Sequence, residues 1–136
     1  MKNLILTIAI FGSALFSAQK SEHYLQIGYA SVCCGTPSEK PVMDYLTKFK
    51  QKNKVKNLEI YKQSGLGREG EYNLYIGTDG LSKTQKDTFI RGLKAAVDRQ
   101  NNTRSKNSDG LVNFNESEII TKADLSKARN LTLIKK

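Results

Sequence analysis

The sequence predicts an α+β protein, and three observations support this fold class. Apolar residues alternate over 24–32, which is typical of a strand with one buried face. Apolar residues recur at helical spacing over 39–51 and again over 89–97. Short strand patterns lie between and after these helices, so strands and helices are mixed along one chain of 136 residues.

Residues 1–18 have the pattern of a secretory signal peptide. Lys2 supplies a positive charge, an apolar run covers 4–16, and small residues precede a polar stretch. The apolar run is shorter than the ~20 residues that a membrane-spanning helix needs. We therefore expect an exported protein, periplasmic or secreted, whose mature chain 19–136 forms a single α+β domain without a transmembrane segment.

The first strand and the first helix are separated by a turn that contains both cysteines of the chain. Ser38 is a suitable cap for the helix that follows this turn. Pro41 falls in the first helical turn, where its missing N–H costs nothing. The apolar spacing then predicts a helix from about 39 to 51.

Two further strands, over 58–61 and 71–76, flank a glycine-rich connection with the composition of a hairpin loop. A phosphate-binding loop places its glycines before a helix, whereas a strand follows here. The next helix begins with Ser82 and Gln85, which have the spacing of a capping box. The apolar residues of 89–97 then lie on one helical face.

The C-terminal part begins with a polar stretch, about 101–110, that predicts a flexible linker inside the domain. Beyond it, 111–114, 118–120 and 131–134 are short strand candidates, and 123–130 predicts a helical turn. The order of elements matches the split βαβ (βαββαβ) arrangement of a ferredoxin-like sandwich with a short C-terminal extension. A thioredoxin-like fold is the alternative, since it also begins with a strand, a cysteine loop and a helix.

In its order of elements, the segment 24–98 resembles the heavy-metal-associated domains. Cys33 and Cys34 occupy the loop after the first strand, where that family holds its metal-binding cysteines. The stretch 70–97 is similar to the family's third strand and second helix. The family separates its two cysteines by two residues, whereas these two are adjacent. The resemblance implies a soft-metal site, for Cu(I) or Zn, at Cys33 and Cys34.

The residues themselves leave three interpretations of the cysteine pair open. Thiolates bind soft ions such as Cu(I), Hg(II) or Zn(II), but His23, the only histidine, lies ~30 Å away along the strand. A helix N-terminus just beyond the pair favours a reactive thiolate and therefore thiol redox chemistry. The third interpretation is structural: a buried free cysteine beside a partly exposed one, or a disulfide between the neighbours.

The mature chain is basic. Removing residues 1–18 takes away one lysine and no acid, which lowers the net charge from +9 to +8. Lysines at every second position also lie around the end of the first helix; they are Lys48, Lys50, Lys52, Lys54 and Lys56. They favour the helix dipole and form a candidate interaction surface for an acidic protein or a polyanionic envelope component. Nucleic acid is not an expected partner, because 71–76 lacks the aromatic motif of RNA-recognition domains.

No set of acids and no Cys–His pair has the pattern of an active site, so we expect a binding protein rather than an enzyme. The sequence predicts an exported small binding protein whose Cys33–Cys34 site binds a soft metal ion or is thiol-redox active. The alternative is a basic, inhibitor-type interaction module for an acidic partner.

Overall fold

The computed structural model describes residues 20–107 and 109–134. The predicted signal peptide 1–18 and the first residue of the predicted mature chain lie outside the described residues. In chain order, the elements of the described part are β1 (His23–Ala30), α1 (Lys40–Asn53), β2 (Ile60–Gln63), β3 (Tyr72–Gly77), α2 (Lys83–Thr103), β4 (Leu111–Thr121), α3 (Lys122–Leu125) and β5 (Leu131–Ile134).

The strands form one antiparallel sheet with the order β4-β1-β3-β2-β5. Every pairing between neighbouring strands of this sheet is antiparallel. The register between β1 and β4 shifts between Leu25 and Ile27, as at a β-bulge. Because of this irregularity, the strand candidates at 111–114 and 118–120 are parts of one 11-residue strand. The described chain therefore contains a five-stranded antiparallel sheet and three helices, and the predicted α+β class is confirmed.

The long helices α1 and α2 pack on one face of the sheet. Alternate residues of β1 and β3 point to this face and are buried together with the apolar sides of both helices. The buried helix residues are Val42, Met43, Leu46, Phe49, Phe89, Leu93 and Val97. This main core agrees with the apolar patterns in the sequence, and the charged residues Arg91 and Lys94 of α2 are exposed.

Helix α2 begins where the sequence predicts, but it extends into the predicted linker. Ser82 Oγ accepts a hydrogen bond from Gln85 N at 3.2 Å, and Gln85 Oε1 accepts one from Ser82 N at 3.0 Å. The first three residues of the linker expected at about 101–110 belong to this helix. The Asn101 side chain donates to Val112 O at 2.8 Å and accepts from Val112 N at 3.0 Å, which fastens the end of α2 to β4.

The crossing segment, residues 122–130, passes over the other face of the sheet. It joins β4 to β5, which lie at opposite edges of the sheet. It carries α3, whose Leu125 is buried with Tyr24 and Tyr75 in a second, smaller apolar cluster. This cluster covers one end of the second face, and Gly28 and Asn73 further along the same face stay partly exposed.

Candidate functional site

Cys33 and Cys34 form a disulfide with each other in the cysteine turn, residues 31–38, which joins β1 to α1. Both residues are exposed. The turn bends at Gly35, whose φ of +112° favours glycine, and Gly35 N donates to Ser31 Oγ at 3.3 Å. Of the structural interpretations, the disulfide between neighbours is therefore the one found, and neither cysteine is a core residue.

The cysteine turn is held in place by groups other than the sulfurs. The Tyr72 hydroxyl donates to Pro37 O at 3.1 Å, and Gln100 Nε2 donates to Ser38 O at 2.8 Å. A disulfide between adjacent residues closes only a small ring through one peptide bond, so it adds little loop-closure stabilisation. The hydrogen bonds that anchor the turn do not involve the sulfur atoms of Cys33 and Cys34.

A cavity of about 350 Å³ lies beside the disulfide. It is lined by residues 34–38 of the cysteine turn, by the C-terminal end of α2 and by the residues just before β4. Arg104 Nη1 donates to Asp109 O at 3.0 Å across this region. Gln100 Oε1 is buried and has no hydrogen-bond partner in the described part of the chain. The cavity is therefore lined by Cys34 together with polar residues from the end of α2 and the segment before β4.

His23 does not take part in the cysteine site. It lies at the opposite end of β1, where its Nδ1 is 3.2 Å from both carboxylate oxygens of Asp79. Burial raises the pKa of the Asp79 carboxyl, but hydrogen bonds from Glu22 and His23 outweigh burial and lower it. Among the residues that the structure describes, no three His, Cys, Asp or Glu side chains could hold a metal ion together. Because the two sulfurs are bonded to each other, the soft-metal prediction for Cys33 and Cys34 applies to the reduced pair.

The five lysines of the predicted interaction surface lie at the end of α1 and directly after it. Lys48, Lys50 and Lys52 belong to the helix, Lys54 is its left-handed C-cap with φ of 53°, and Lys56 precedes β2. All except Lys50 are exposed. None of these four exposed side chains forms an ion pair within 20–107 and 109–134. Their charges are therefore presented to solvent.

The open-face groove, a depression of about 470 Å³ on the second face of the sheet, was not predicted from the sequence. Its floor is Gly28 on β1, which pairs with Asn73 on β3 and with Asn113 on β4. The alternation in β1 could have shown that Gln26 and Gly28 share a face. It could not have shown which strands lie beside β1, so the two asparagines could not be placed next to the glycine.

A hydrogen-bonded carboxylate lies near the start of β1. Glu59 accepts from the Tyr24 hydroxyl at 2.9 Å and from Ser21 N at 3.2 Å. Burial raises the pKa of the Glu59 carboxyl, but hydrogen bonds from Tyr61, Tyr24 and Ser21 outweigh burial and lower it. Burial and the bond to Glu59 in turn raise the pKa of the Tyr24 hydroxyl. The hydrogen-bonded Glu59 carboxylate is therefore a structural feature that makes the stability of the fold depend on pH.

Comparison of the chain with models of protein families, with curated proteins and with solved structures gives no match. Among the helices that the structure describes, none combines the length and apolar composition needed to cross a membrane.

Proposed function

We propose that this protein is an exported small binding protein in which Cys33 and Cys34 form a reversible thiol–disulfide site. The observation that carries the proposal is the disulfide between two adjacent, exposed residues on the turn after β1. Exposed disulfides belong to the more easily reduced class, whereas structural disulfides resist reduction. Export is inferred from the signal-peptide pattern of residues 1–18.

The reaction at this site is exchange with an external dithiol. A thiolate of the dithiol attacks Sγ of one cysteine, forms a mixed disulfide and releases the other cysteine as a thiolate. The second thiol of the dithiol then attacks the mixed disulfide and releases the first cysteine. Two electrons and two protons pass to the pair, and the dithiol becomes a disulfide. The cavity beside Cys34 is large enough to admit a small thiol-bearing group.

For the reduced pair, soft-metal binding is a further proposal. Two thiolates suit Cu(I) or Zn, which prefer sulfur ligands. Cys33 and Cys34 supply only two ligands, and the other described His, Cys, Asp and Glu side chains do not complete the set. A metal ion bound there needs a ligand from outside the chain, since structural Zn sites are normally four-coordinate.

We also infer that the elements from β1 to β4 form a ferredoxin-like split βαβ unit, to which α3 and β5 are added. The element order, the antiparallel pairings and the packing of α1 and α2 on one face support this inference. A thioredoxin-like fold contains a βαβ unit with parallel strands, whereas the pairings between the described strands are antiparallel.

The experiment for the thiol–disulfide proposal is reduction of the folded protein. The protein is treated with dithiothreitol at neutral pH, alkylated and weighed by mass spectrometry, while circular dichroism follows the fold. We expect two alkyl groups to be added without loss of structure. The variant Cys33→Ser/Cys34→Ser should take up no alkyl group and should unfold at the same temperature as the wild type. Reduction only after unfolding, or an unfolded variant, would contradict the proposal.

A second candidate function is binding of an acidic protein or a polyanionic envelope component. Lys48, Lys52, Lys54 and Lys56 favour it, because they are exposed and form no ion pair with another described residue. Such binding should weaken steeply as salt is added, because surface charges are screened. Replacing these four lysines by glutamine should abolish binding to a model polyanion, heparin, whereas Cys33→Ser/Cys34→Ser should not. The opposite pattern would assign binding to the cysteine site.

A further inference from the structure

The open-face groove is a second candidate site, separate from the cysteine turn. It lies on the face of the sheet that the long helices leave uncovered, next to the cluster under the crossing segment. Its lining residues with polar or exposed side chains are Gln26, Leu66, Glu71, Asn73, Asn113, Asn115 and Glu118. None of these residues belongs to the cysteine site or to the lysine surface.

The floor of the open-face groove is formed by the backbone at Gly28. Gly28 has no side chain, and its partners Asn73 and Asn113 lie on the strands to either side. Because neighbouring strands are ~4.8 Å apart, the Cα atoms of the two asparagines are separated by ~10 Å. A Cβ on Gly28 would lie 3.3 Å from Asn73 Oδ1 and 3.7 Å from Asn113 Cβ. Gly28 therefore adds no side chain between the two amides, and the groove of about 470 Å³ has room for a ring above it.

One amide side chain of the open-face groove is held in place by hydrogen bonds, and two others can form hydrogen bonds with a ligand. Asn73 Nδ2 donates to the Tyr75 hydroxyl at 3.2 Å, and this hydroxyl donates to Gln63 Oε1 at 2.7 Å. This chain of bonds holds Asn73 with its Oδ1 beside Gly28. The side chains of Gln26 and Asn113 form no hydrogen bond within the described chain, so both can donate to and accept from a ligand.

The charge of the groove is opposite to that of the whole protein. The chain has 22 lysines and arginines, yet none of those among the described residues lines the groove. Glu71 and Glu118 are its charged residues. Anionic ligands such as phosphates or acidic sugars are therefore disfavoured there. Leu66, which is 47% exposed, adds an apolar contact at the rim.

We propose that the open-face groove binds a short saccharide, neutral or amine-bearing, with one sugar ring over Gly28 between Asn73 and Asn113. Sugar hydroxyls donate and accept hydrogen bonds, as the amide side chains do. Leu66 contacts an apolar C–H face of the sugar. The carboxylates of Glu71 and Glu118 accept hydrogen bonds from hydroxyl or ammonium groups and discriminate against acidic sugars.

The test is an NMR titration of the folded protein with three tetrasaccharides at millimolar concentration. The probes are a β-1,4 glucose tetramer, a β-1,4 glucosamine tetramer and an acidic galacturonate tetramer. We expect saturable amide shifts confined to the groove residues, with the tightest binding for glucosamine and no binding for galacturonate. Asn113→Ala should weaken binding about tenfold, the effect of losing roughly one to two hydrogen bonds. Asn73→Ala should have a similar effect.

The matched control is Asn102→Ala, which removes an exposed asparagine from α2, outside the groove. It should leave the affinity unchanged. Asn113 is exposed, so its variant should stay folded and keep the test valid even if Asn73→Ala lowers stability. The proposal is overturned by an absence of shifts with glucose and glucosamine tetramers, by preference for galacturonate, or by equal losses in Asn113→Ala and Asn102→Ala. Binding of an extended lysine-rich peptide in the groove, with no saccharide binding, would also overturn it.

Discussion

Gly92 allows α2 to pack against a tyrosine of α1, and its replacement by alanine should destabilise the protein. The Tyr45 hydroxyl donates to Phe89 O at 2.8 Å, and a Cβ on Gly92 would overlap the Tyr45 hydroxyl and ring. Alanine is favoured over glycine inside a helix by ~1 kcal/mol. Overpacking costs ~1–3 kcal/mol, and displacing Tyr45 also loses a hydrogen bond worth ~1 kcal/mol. Gly92→Ala should therefore lower the free energy of unfolding by about 1–3 kcal/mol.

Removing the Tyr45 ring should make Gly92→Ala stabilising instead of destabilising. In the background Tyr45→Ala, the Cβ at position 92 has no ring to overlap, so Gly92→Ala should stabilise the protein by ~1 kcal/mol. Urea unfolding of the wild type, both single variants and the double variant measures the coupling directly. A stabilising Gly92→Ala in the wild-type background, or the same effect in both backgrounds, would refute the packing argument.

Three further predictions concern the core, a partly buried hydrogen-bonded acid and the N-terminus. Leu93→Ala should lower the free energy of unfolding by ~2–5 kcal/mol because the side chain is fully buried. Lys94→Ala should cost at most ~1 kcal/mol, because the ion pair of Lys94 with Glu116 is exposed. Equal costs in urea unfolding would show that the wrong face of α2 has been assigned to the core. The pKa of Glu59 is lowered by folding, so its carboxylate stabilises the fold above the unfolded pKa of ~4.3, and this contribution is lost as the pH falls through the lower folded value. Glu59→Gln should therefore lose less stability than the wild type between about pH 5 and pH 3, and parallel curves would contradict this. N-terminal sequencing of exported protein should begin at Gln19, and retention of the apolar segment would exclude the signal peptide.

Local patterns predicted the elements that depend on local interactions. Both hydrogen bonds of the capping box between Ser82 and Gln85 are present. Phe89, Leu93 and Val97 are buried, as their spacing indicates. These features follow from residues three or four positions apart on one helix, so no knowledge of neighbouring elements is needed.

Features that depend on strand neighbours could not be predicted in the same way. The strand expected over 58–61 is found at Ile60–Gln63, since pairing with β3 begins only at Ile60. The open-face groove requires Gly28 to lie between Asn73 and Asn113, residues of two other strands. Periodicity shows which residues of one strand share a face, but it carries no information about which strands are adjacent.

The sequence shows that Cys33 and Cys34 are adjacent in the first turn, but it leaves their bonding state open. The spacing of Cys33 and Cys34 allows two free thiols, a metal-bound pair or a disulfide. The structure shows the disulfide and its exposure. Exposure depends on how the turn packs against Tyr72 of β3 and Gln100 of α2, which are contacts between distant parts of the chain.

An equilibrium redox titration tests the reversibility of the Cys33–Cys34 disulfide most directly. The folded protein is equilibrated in glutathione buffers of graded potential, quenched with an alkylating reagent and weighed to count free thiols. We predict that both cysteines become reduced together, with a midpoint above about −300 mV, the range below which structural disulfides resist glutathione. Amide hydrogen exchange of α2 should stay protected throughout the titration. A pair that remains oxidised at every glutathione potential while the protein is folded would contradict the account.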